Sequence, residues 1–533
     1  MIKLLKQVNF NRLFWFFFYF FIFCLLLRNS FNYLDPDFGW HLRVGQEIAQ
    51  TNTVPDFNNY NYTFTGNWVD HEWLSNFLVY FIYAHGGYLA LSIIFALVIT
   101  LVLVLLNLSV RQFFPTVAML PIVLFQTLGV TAALPHFGIR MQESGVLFLL
   151  LLLLIINHYN KKQNQRILWW LPPLFYFWSC LHASFLIGLF ILGSWTAIKI
   201  GEMIIVKYRS WPWLDLSSVL SSRKILVFGG WSFLSFGVTL FTPYKFNLYS
   251  FLGGYSNTFY QSRIQEWVSQ FSFPFTYWQL FYLAIVFLAL VFYIYYSLAR
   301  ERYFKIDLWT LFLVILFIVL SFKSRRHFPL LLVATFIFLI EIYSTILKIA
   351  GKTEKRPLNI GLKIYLLLAL FLVSSFQLTQ ARFTNNPFGS YCRDYPCAAS
   401  DFLKNQPQYD FLNIFNDYGW GGYLIQTLPD RKLFIDGRLP QVEFAGQTFL
   451  EEYLEFFKDN GRIGEKLNQY EIKLILIPAI DKKVTATRAE KIIFGITDEE
   501  LNPPNHLRRY LSVSSDWRQI YNDQTAVIYL KNN

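Results

Sequence analysis

The chain has 533 residues, of which 55% are hydrophobic, 20% aromatic and only 15% charged, a composition that excludes a soluble enzyme of this size. The formal net charge is +12 at pH 7, yet the basic residues stand in short clusters between apolar runs, where they act as topology signals. We therefore predict that the chain sits in a membrane lipid bilayer and has no nucleic-acid partner.

Apolar runs long enough to cross about 30 Å of hydrocarbon predict about eleven transmembrane helices. The first run, residues 13–27, follows three basic residues and is not followed by a small-residue cleavage site, so we expect an uncleaved span and not a signal peptide. The predicted fold class is a polytopic α-helical membrane protein. The runs begin near Arg12, Gly87, Phe114, Ser144, Ile167, Ser184, Ile225, Trp278, Ile306, Phe328 and Leu362.

The basic clusters set the predicted orientation. With the N-terminus in the cytoplasm, the basic segments 160–166, 207–224, 300–305 and 348–363 all fall on the cytoplasmic side, as the positive-inside rule requires. Residues 29–86, residues 244–277 and the chain from about residue 379 then lie outside. The predicted location is a cytoplasmic (inner) membrane.

The first outer loop, residues 29–86, concentrates ionisable side chains between two apolar runs. Residues 38–49 predict an amphipathic helix on the membrane surface, with Pro36 just inside its start and Asp35 or Asp37 near its N-cap. A second interfacial helix would start near Asp70. Its membrane-facing stripe would be Trp73, Phe77, Tyr80 and Phe81.

Acidic and imidazole side chains form two groups in this loop. Capping alone is one interpretation of the aspartates, but caps do not require a histidine and a glutamate beside them. A general-base or metal-assisted site at a membrane surface does require such neighbours. The candidate catalytic residues are therefore Asp37, Glu72, Asp35 and Asp70, with Asp37 and Glu72 also candidate ligands of a divalent cation (Mg²⁺ or Mn²⁺), and with His41 and His71 as ligands, bases or hydrogen-bond partners.

Lys323, Arg325 and Arg326 break the charge pattern, because they fall at the outer end of the ninth predicted span. Either the helix count is shifted, or these cations form an anion site that faces a lipid phosphate. Weaker candidates for substrate binding are Arg43, Arg140, His136, His182 (otherwise a turn residue) and Glu266 (a contact for acceptor or metal).

The tail, residues 381–533, lacks long apolar runs and predicts a small extracytoplasmic α/β domain that follows a transmembrane domain of residues 1–380. Predicted strands are 411–415, 432–435, 473–477 and 525–530, and predicted helices are 448–458 and 489–494. Cys24 and Cys180 lie in apolar spans as packing residues. Cys392 and Cys397 are placed for a local disulfide if the tail is outside the cytoplasm, a pairing that the sequence leaves open.

At these residues the chain resembles the C-type membrane glycosyltransferases, which use polyprenyl-phosphate-linked sugars as donors. Asp35-Pro36-Asp37 takes the place of the first acidic motif, and Asp70-His71-Glu72 takes that of the second. The superfamily often has adjacent acidic residues at the first motif, whereas Pro36 separates them here. We prefer Asp37 to Asp35 because it precedes His41 by one helical turn.

The likeness is greater to a bacterial branch of that superfamily, and it covers most of the chain. The branch pattern D-x-D-x-x-W-H-x-x-x-G matches residues 35–45, and W-V-x-H-E-W-L matches residues 68–74. In the tail, N-D-x-x-W-G-G-Y-L matches residues 416–424 and F-I-D-G-R matches residues 434–438. The tail motifs are either turns or an acceptor-recognition surface.

The resemblance implies an inverting glycosyltransferase that moves a hexosyl or pentosyl group to an extracytoplasmic glycan, lipid or protein acceptor. Asp37 would be the base or metal-linked carboxylate, and Arg325 and Arg326 would bind the donor phosphate. A carrier or flippase for a lipid-linked saccharide is the first alternative, but it should place ionisable residues at mid-membrane and show repeated halves. A non-catalytic scaffold is the second alternative.

Overall fold

Long apolar helices account for most of residues 10–379, as the hydropathy of the sequence predicts. The computed structural model describes residues 10–208, 211–215, 219–256, 258–299, 304–351, 360–444, 446–459 and 461–532. Within these ranges, eight helices are long and apolar enough to cross a membrane. The chain is therefore a multi-pass membrane protein.

Twenty-two α-helices lie in the described ranges, together with short 3₁₀ turns such as Gln165–Trp170 and Arg325–His327. In chain order the helices are α1 Phe10–Asn32, α2 Phe38–Thr51, α3 Trp73–Phe113, α4 Met119–Ala133, α5 Gln142–Lys162, α6 Leu171–Leu181, α7 Phe185–Tyr208, α8 Ser222–Thr239, α9 Asn247–Gly253, α10 Thr258–Arg263, α11 Tyr277–Ala299, α12 Leu308–Lys323, α13 Phe328–Ile349, α14 Ile360–Thr379, α15 Pro387–Ser390, α16 Cys397–Lys404, α17 Gly421–Thr427, α18 Phe449–Glu455, α19 Ile463–Gln469, α20 Arg488–Phe494, α21 Asp498–Leu501 and α22 His506–Val513.

Each predicted span coincides with one helix, but α6, α8 and α12 are not among the eight helices that meet the length and hydropathy limits for crossing a membrane. Helix α12 has 16 residues, which at 1.5 Å per residue reach about 24 Å, less than the hydrocarbon thickness. Helix α6 starts late because two prolines occupy its first turn. The number of eleven spans stays a prediction. Parts of three predicted cytoplasmic segments, residues 209–210, 216–218, 300–303 and 352–359, lie outside the described residues.

The contacts divide the chain into two compact units. The first, which we call the helical unit, comprises residues 1–33, 92–242 and 276–383. The second, the loop-and-tail unit, comprises residues 34–91, 243–275 and 384–533. Most of the first outer loop thus lies in the same unit as the tail. The predicted domain boundary between residues 380 and 381 divides the chain by sequence position and stays a prediction.

In the helical unit, α1 packs against α14, α4 against α13, and α6 and α7 against α8. Aromatic side chains fill the contacts between α5, α7 and α8. The Trp195 ring lies 3.8 Å from that of Phe228 and 5.8 Å from that of Tyr159, and all three side chains are fully buried. Such buried rings stabilise helix contacts that lipid would not drive together by hydrophobicity alone.

The tail builds a four-stranded sheet from β1 Asn413–Asn416, β4 Ile472–Pro478, β5 Trp517–Asn522 and β6 Ala526–Lys531, with a separate hairpin of β2 Glu443–Phe444 and β3 Gln447–Thr448. The strand order is β1-β4-β6-β5. Strands β1 and β4 are parallel, and the other pairs are antiparallel. Strands β4 and β6 are apolar at most positions because both of their faces are buried.

Three of the four predicted strands coincide with β1, β4 and β6. The predicted strand at 432–435 forms only isolated bridges, in which Leu433 pairs with Ile414 and with Asn61. Strand β5 was not predicted, because its exposed residues Arg518 and Gln519 interrupt the apolar pattern. The predicted helices at 448–458 and 489–494 correspond to α18 and α20, and each begins with a threonine capping box. Cys392 and Cys397 form a disulfide.

Candidate functional site

The start of α2 separates the roles of the two aspartates in the first acidic motif. The Asp35 carboxylate accepts a hydrogen bond from the Asp37 backbone N–H at 2.9 Å, which fixes the turn into the helix. Asp37 occupies the N-cap position, but its side chain makes no capping hydrogen bond. Pro36 precedes the N-cap and does not lie inside the helix, so that part of the prediction was wrong. The Asp37 carboxylate is therefore not used to cap its own helix.

The tail motifs contact this turn directly within the loop-and-tail unit. A Cβ added at Gly437 would lie 2.1 Å from Asp37 Oδ1, and one added at Gly422 would lie 2.2 Å from the Pro36 carbonyl oxygen. A Cβ added at Gly39 of α2 would likewise lie 2.1 Å from the Gly422 carbonyl oxygen. A side chain at Gly422 or Gly39 would overlap backbone atoms, and one at Gly437 would displace the Asp37 carboxylate. Residues 422 and 437 are thus glycine because the Asp37 turn and the tail approach each other, whereas a Cβ at Gly421 would meet Asp436 within the tail.

Arg438, next to Gly437, joins the tail to the first loop. Its guanidinium donates to both carboxylate oxygens of Asp436 at 2.8 Å and to the side-chain oxygens of Asn58 and Asn61 at 3.1 and 3.0 Å. It also lies 4.5 and 4.7 Å from the ring centroids of two loop aromatics, Tyr60 and Trp68. Because this arginine is 3% exposed, the ion pair and both ring contacts are shielded from water and are stronger than surface contacts.

The second acidic motif sits on a hydrogen-bonded chain at the start of α3. The Asn76 amide donates to both oxygens of Asp70, at 2.9 and 2.8 Å, and its carbonyl oxygen lies 2.5 Å from His41 Nδ1. Asp70 and Asn76 are fully buried and His41 is 5% exposed. Since the Asn76 oxygen can only accept, His41 Nδ1 carries a proton.

The contact with Asn76 orients the ring so that His41 Nε2 points towards Glu72. The Nε2 atom lies 4.0 Å from Glu72 Oε2, and His71 Nε2 lies 3.6 Å from Glu72 Oε1. One carboxylate therefore stands between two imidazoles at ion-pair distances, where it would stabilise either ring in its protonated form. Glu72 itself is 5% exposed, so its carboxylate is largely shielded from water.

Burial raises the pKa of Asp70 to about 7, although the hydrogen bonds from Asn76 and the Glu72 backbone and the charge of Arg438 act in the opposite direction. Desolvation penalises the charged carboxylate more than these partners favour it. Asp70 therefore holds its proton more tightly than an ordinary aspartate and serves chiefly to orient Asn76 and, through it, His41.

Aromatic side chains of residues 243–275 surround His71. Its ring centroid lies 5.6 Å from that of Phe251 and 5.7 Å from that of Tyr255, and Tyr255 stacks at 6.2 Å on Trp267. Glu266 precedes Trp267 and is half-buried. Arg43 lies on α2 and donates to Gln46 at 3.5 Å. All of these candidate residues belong to the loop-and-tail unit.

The remaining candidates lie in the helical unit. Arg140 follows Gly138 just before α5, and His136 Nε2 lies 3.0 Å from the Gln279 amide nitrogen. His182 caps the end of α6 and contacts the Ser184 hydroxyl at 2.8 Å. Arg325 is buried and Arg326 half-buried in the 3₁₀ turn between α12 and α13. That the two arginines reach the loop carboxylates stays a prediction.

The sequence did not predict three polar residues of this site: Asn58, Asn61 and Asn76. Their partners are Arg438 and His41, at sequence separations of 380, 377 and 35 residues, and no local pattern marks such contacts. The tail motif that contains Arg438 was the one available signal. Among the described residues, no group of three or more His, Cys, Asp or Glu side chains is arranged to hold a metal ion.

Comparisons with known proteins give the fold but no close relative. No protein-family model matches the chain, and no curated protein matches its sequence. Solved structures of similar shape come from membrane oligosaccharyltransferases, so the chain has the fold of that class of protein.

Similar structures include those of the oligosaccharyltransferase of Archaeoglobus fulgidus, at sequence identities that show the fold alone. The apo form matches with a TM-score of 0.53 and 11% identity over 89% of this chain and 70% of that one. The form tethered to an acceptor peptide with an NVT sequon matches at 0.52 and 11% over 97% and 74%. The archaeal oligosaccharyltransferase AglB from A. fulgidus, in complex with an inhibitory peptide and a dolichol-phosphate, matches with a TM-score of 0.51 and 10% identity over 89% of this chain and 70% of that one.

Proposed function

We propose that this protein is a membrane glycosyltransferase that moves a sugar from a polyprenyl-phosphate donor to an acceptor outside the cytoplasm. The fold supports this proposal, because the A. fulgidus structures of the same fold include complexes with an acceptor peptide and with a dolichol-phosphate. The observation that carries it is the Asp37 carboxylate. Gly437 of the tail leaves the space that this carboxylate occupies, since a Cβ there would lie 2.1 Å from Asp37 Oδ1.

In the proposed reaction, Asp37 takes the proton of an acceptor hydroxyl as the acceptor oxygen attacks the anomeric carbon. The bond from that carbon to the donor phosphate oxygen breaks, and the lipid phosphate leaves with the electron pair. Attack from the face opposite the leaving group inverts the configuration at the anomeric carbon. Because a phosphate is already a good leaving group, the enzyme chiefly has to activate the acceptor and neutralise the leaving charge.

The other residues support these two tasks. Glu72, placed between His41 and His71, orients the acceptor, and Asp70 holds His41 in place through Asn76. Arg325 and Arg326 bind the donor phosphate, since guanidinium groups pair well with phosphate oxygens. The carboxylates of Asp37 and Glu72 do not fall in a cluster of metal-binding type, so no step is assigned to a metal ion, and a divalent cation at these residues stays a prediction.

Transfer of a labelled sugar from defined polyprenyl-phosphate donors, measured in membranes, tests the assignment. Loss of a general base lowers rates by about 10²- to 10⁴-fold, so we expect Asp37→Asn to fall by about 100-fold or more and Glu72→Gln by less. The matched control is Asp56→Asn, which changes an exposed carboxylate of the same loop and should leave transfer unchanged. Equal transfer by wild type, D37N and E72Q would remove the site assignment.

A further inference from the structure

An apolar groove with a basic end lies in the helical unit, apart from every residue of the proposed reaction. It has a volume of about 600 Å³, within the range of sites that hold small molecules. Its sides come from the C-terminal half of α3, from α5, and from α6 with the 3₁₀ turn before it. The apolar walls include Leu105, Leu108, Phe148, Leu151, Leu154 and Phe177.

The groove ends in basic and polar side chains. His158, Lys161 and Lys162 line this end, and none of the described lining residues is acidic. Lys161 Nζ lies 3.3 Å from the ring centroid of Phe113, which fixes its ammonium group at the rim of the groove. Trp170, 65% exposed, stands at the same end, as aromatic side chains do where hydrocarbon meets the polar headgroups.

We propose that this groove binds one anionic phospholipid, with an acyl chain along the leucine-lined walls and the phosphate held by Lys161 and Lys162. In a bilayer, apolar walls without partner atoms lose dispersion contacts, and a lipid chain restores them. The charge at the end then selects the headgroup. The proposal does not depend on the glycosyltransferase assignment.

The electrostatics favour an anionic over a zwitterionic headgroup. Each Lys or Arg near an anionic membrane surface contributes about 1 kcal/mol, which is about a fivefold change in affinity. Glu341 attracts Lys161 and offsets part of its charge, and the C-terminal end of α5 carries a partial negative charge that also opposes a phosphate. We therefore expect the two lysines together to favour an anionic lipid by at least about fivefold. The predicted cytoplasmic position of residues 160–166 places the site in the leaflet richest in anionic lipid.

The test uses the full chain in lipid nanodiscs that contain phosphatidylglycerol and phosphatidylcholine with the same acyl chains. Native mass spectrometry after release into detergent counts the lipids of each kind that stay bound. Wild type should retain phosphatidylglycerol at least about fivefold better, and K161Q/K162Q should lose this preference. The matched control is R223Q/K305Q, which removes two exposed basic residues of the helical unit that do not line the groove.

A second variant separates the chain site from the headgroup site. Leu151→Trp fills part of the groove and keeps both lysines, so it should lower retention of either lipid without abolishing the preference for the anionic one. The midpoint of thermal unfolding of each variant shows that it is folded, and Lys162→Gln alone, a change at an exposed side chain, serves if the double variant is not. Equal retention of the two lipids by wild type would overturn the proposal, as would equal behaviour of K161Q/K162Q and R223Q/K305Q.

Discussion

A single buried carboxylate should make the stability of this protein depend on pH. The pKa of Asp70 rises from about 3.8 in the unfolded chain to about 7 in the folded one, so between these values the folded state binds more protons than the unfolded state. The free energy of unfolding then falls as pH rises, and the loss is complete above the folded pKa. A difference of about 3 pKa units corresponds to about 4 kcal/mol.

The midpoint of thermal unfolding in detergent, followed from pH 4.5 to pH 8, measures this dependence. Wild type should become less stable across the window, and Asp70→Asn should show a flatter profile because it cannot ionise. Asp56→Asn, which changes an exposed carboxylate, should keep the wild-type slope. Parallel profiles for wild type and D70N would show that Asp70 is already ionised in the folded protein at low pH.

For single residues, the sequence predicted which side chains belong to the candidate site but not the residues with which they form hydrogen bonds. Asp37, His41, Asp70, His71 and Glu72 were recognised from their density between two apolar runs. That Asp35 fixes the turn while Asp37 does not cap the helix depends on side-chain rotation, which no spacing encodes. The tautomer of His41 depends on Asn76, 35 residues away, and an asparagine in an apolar helix start carries no signal of its own.

At the scale of elements, α2 and the tail approach each other through glycines rather than through large side chains. The Asp37 carboxylate lies where a Cβ at Gly437 would stand, so the position of the proposed base depends on a residue of the tail. The sequence predicted α2 and the strands β1, β4 and β6 because their patterns are local. It left the function of the tail motifs open, because contacts between distant segments leave no periodicity.

Gly437→Ala tests this dependence. The added methyl group would lie 2.1 Å from Asp37 Oδ1, so the carboxylate has to rotate away, and we expect sugar transfer to fall by about 10-fold or more because small misplacements of a reacting group are costly. Gly253→Ala is the matched control, since a Cβ there meets no atom within 4 Å. Both variants are compared by transfer and by the midpoint of unfolding. Unchanged transfer by G437A would separate Asp37 from the reaction.

For the whole molecule, hydropathy predicted the helices and their approximate bounds, because each apolar run reports only on its own surroundings. Hydropathy does not predict how the chain divides into two units. Residues 34–91, 243–275 and 384–533 form one compact unit, although more than a hundred residues of the chain separate each segment from the next. Residues 34–91 associate with the tail through Arg438 with Asn58 and Asn61 and through close contacts at glycine, both of which become visible only when the chain is folded.

Orientation in the membrane is the whole-molecule property on which an extracytoplasmic acceptor depends. The native cysteines leave a clean background for testing it: Cys392 and Cys397 form a disulfide, and Cys24 and Cys180 are buried. We therefore expect a membrane-impermeant maleimide, applied to intact cells, to label Lys483→Cys in the exposed tail but not Arg166→Cys, also exposed, in the basic segment 160–166. Permeabilised cells should label at both positions, which controls for reactivity.

The positive-inside rule underlies this expectation, because basic segments between spans stay in the cytoplasm. Labelling of Arg166→Cys from outside, with Lys483→Cys protected, would reverse the topology. The carboxylates of the first loop would then face the cytoplasm together with the tail, since both belong to the same unit. The proposed acceptor would have to be cytoplasmic, and the groove that ends in Lys161 and Lys162 would open to the outer leaflet, so one measurement decides the side of the membrane for both proposals.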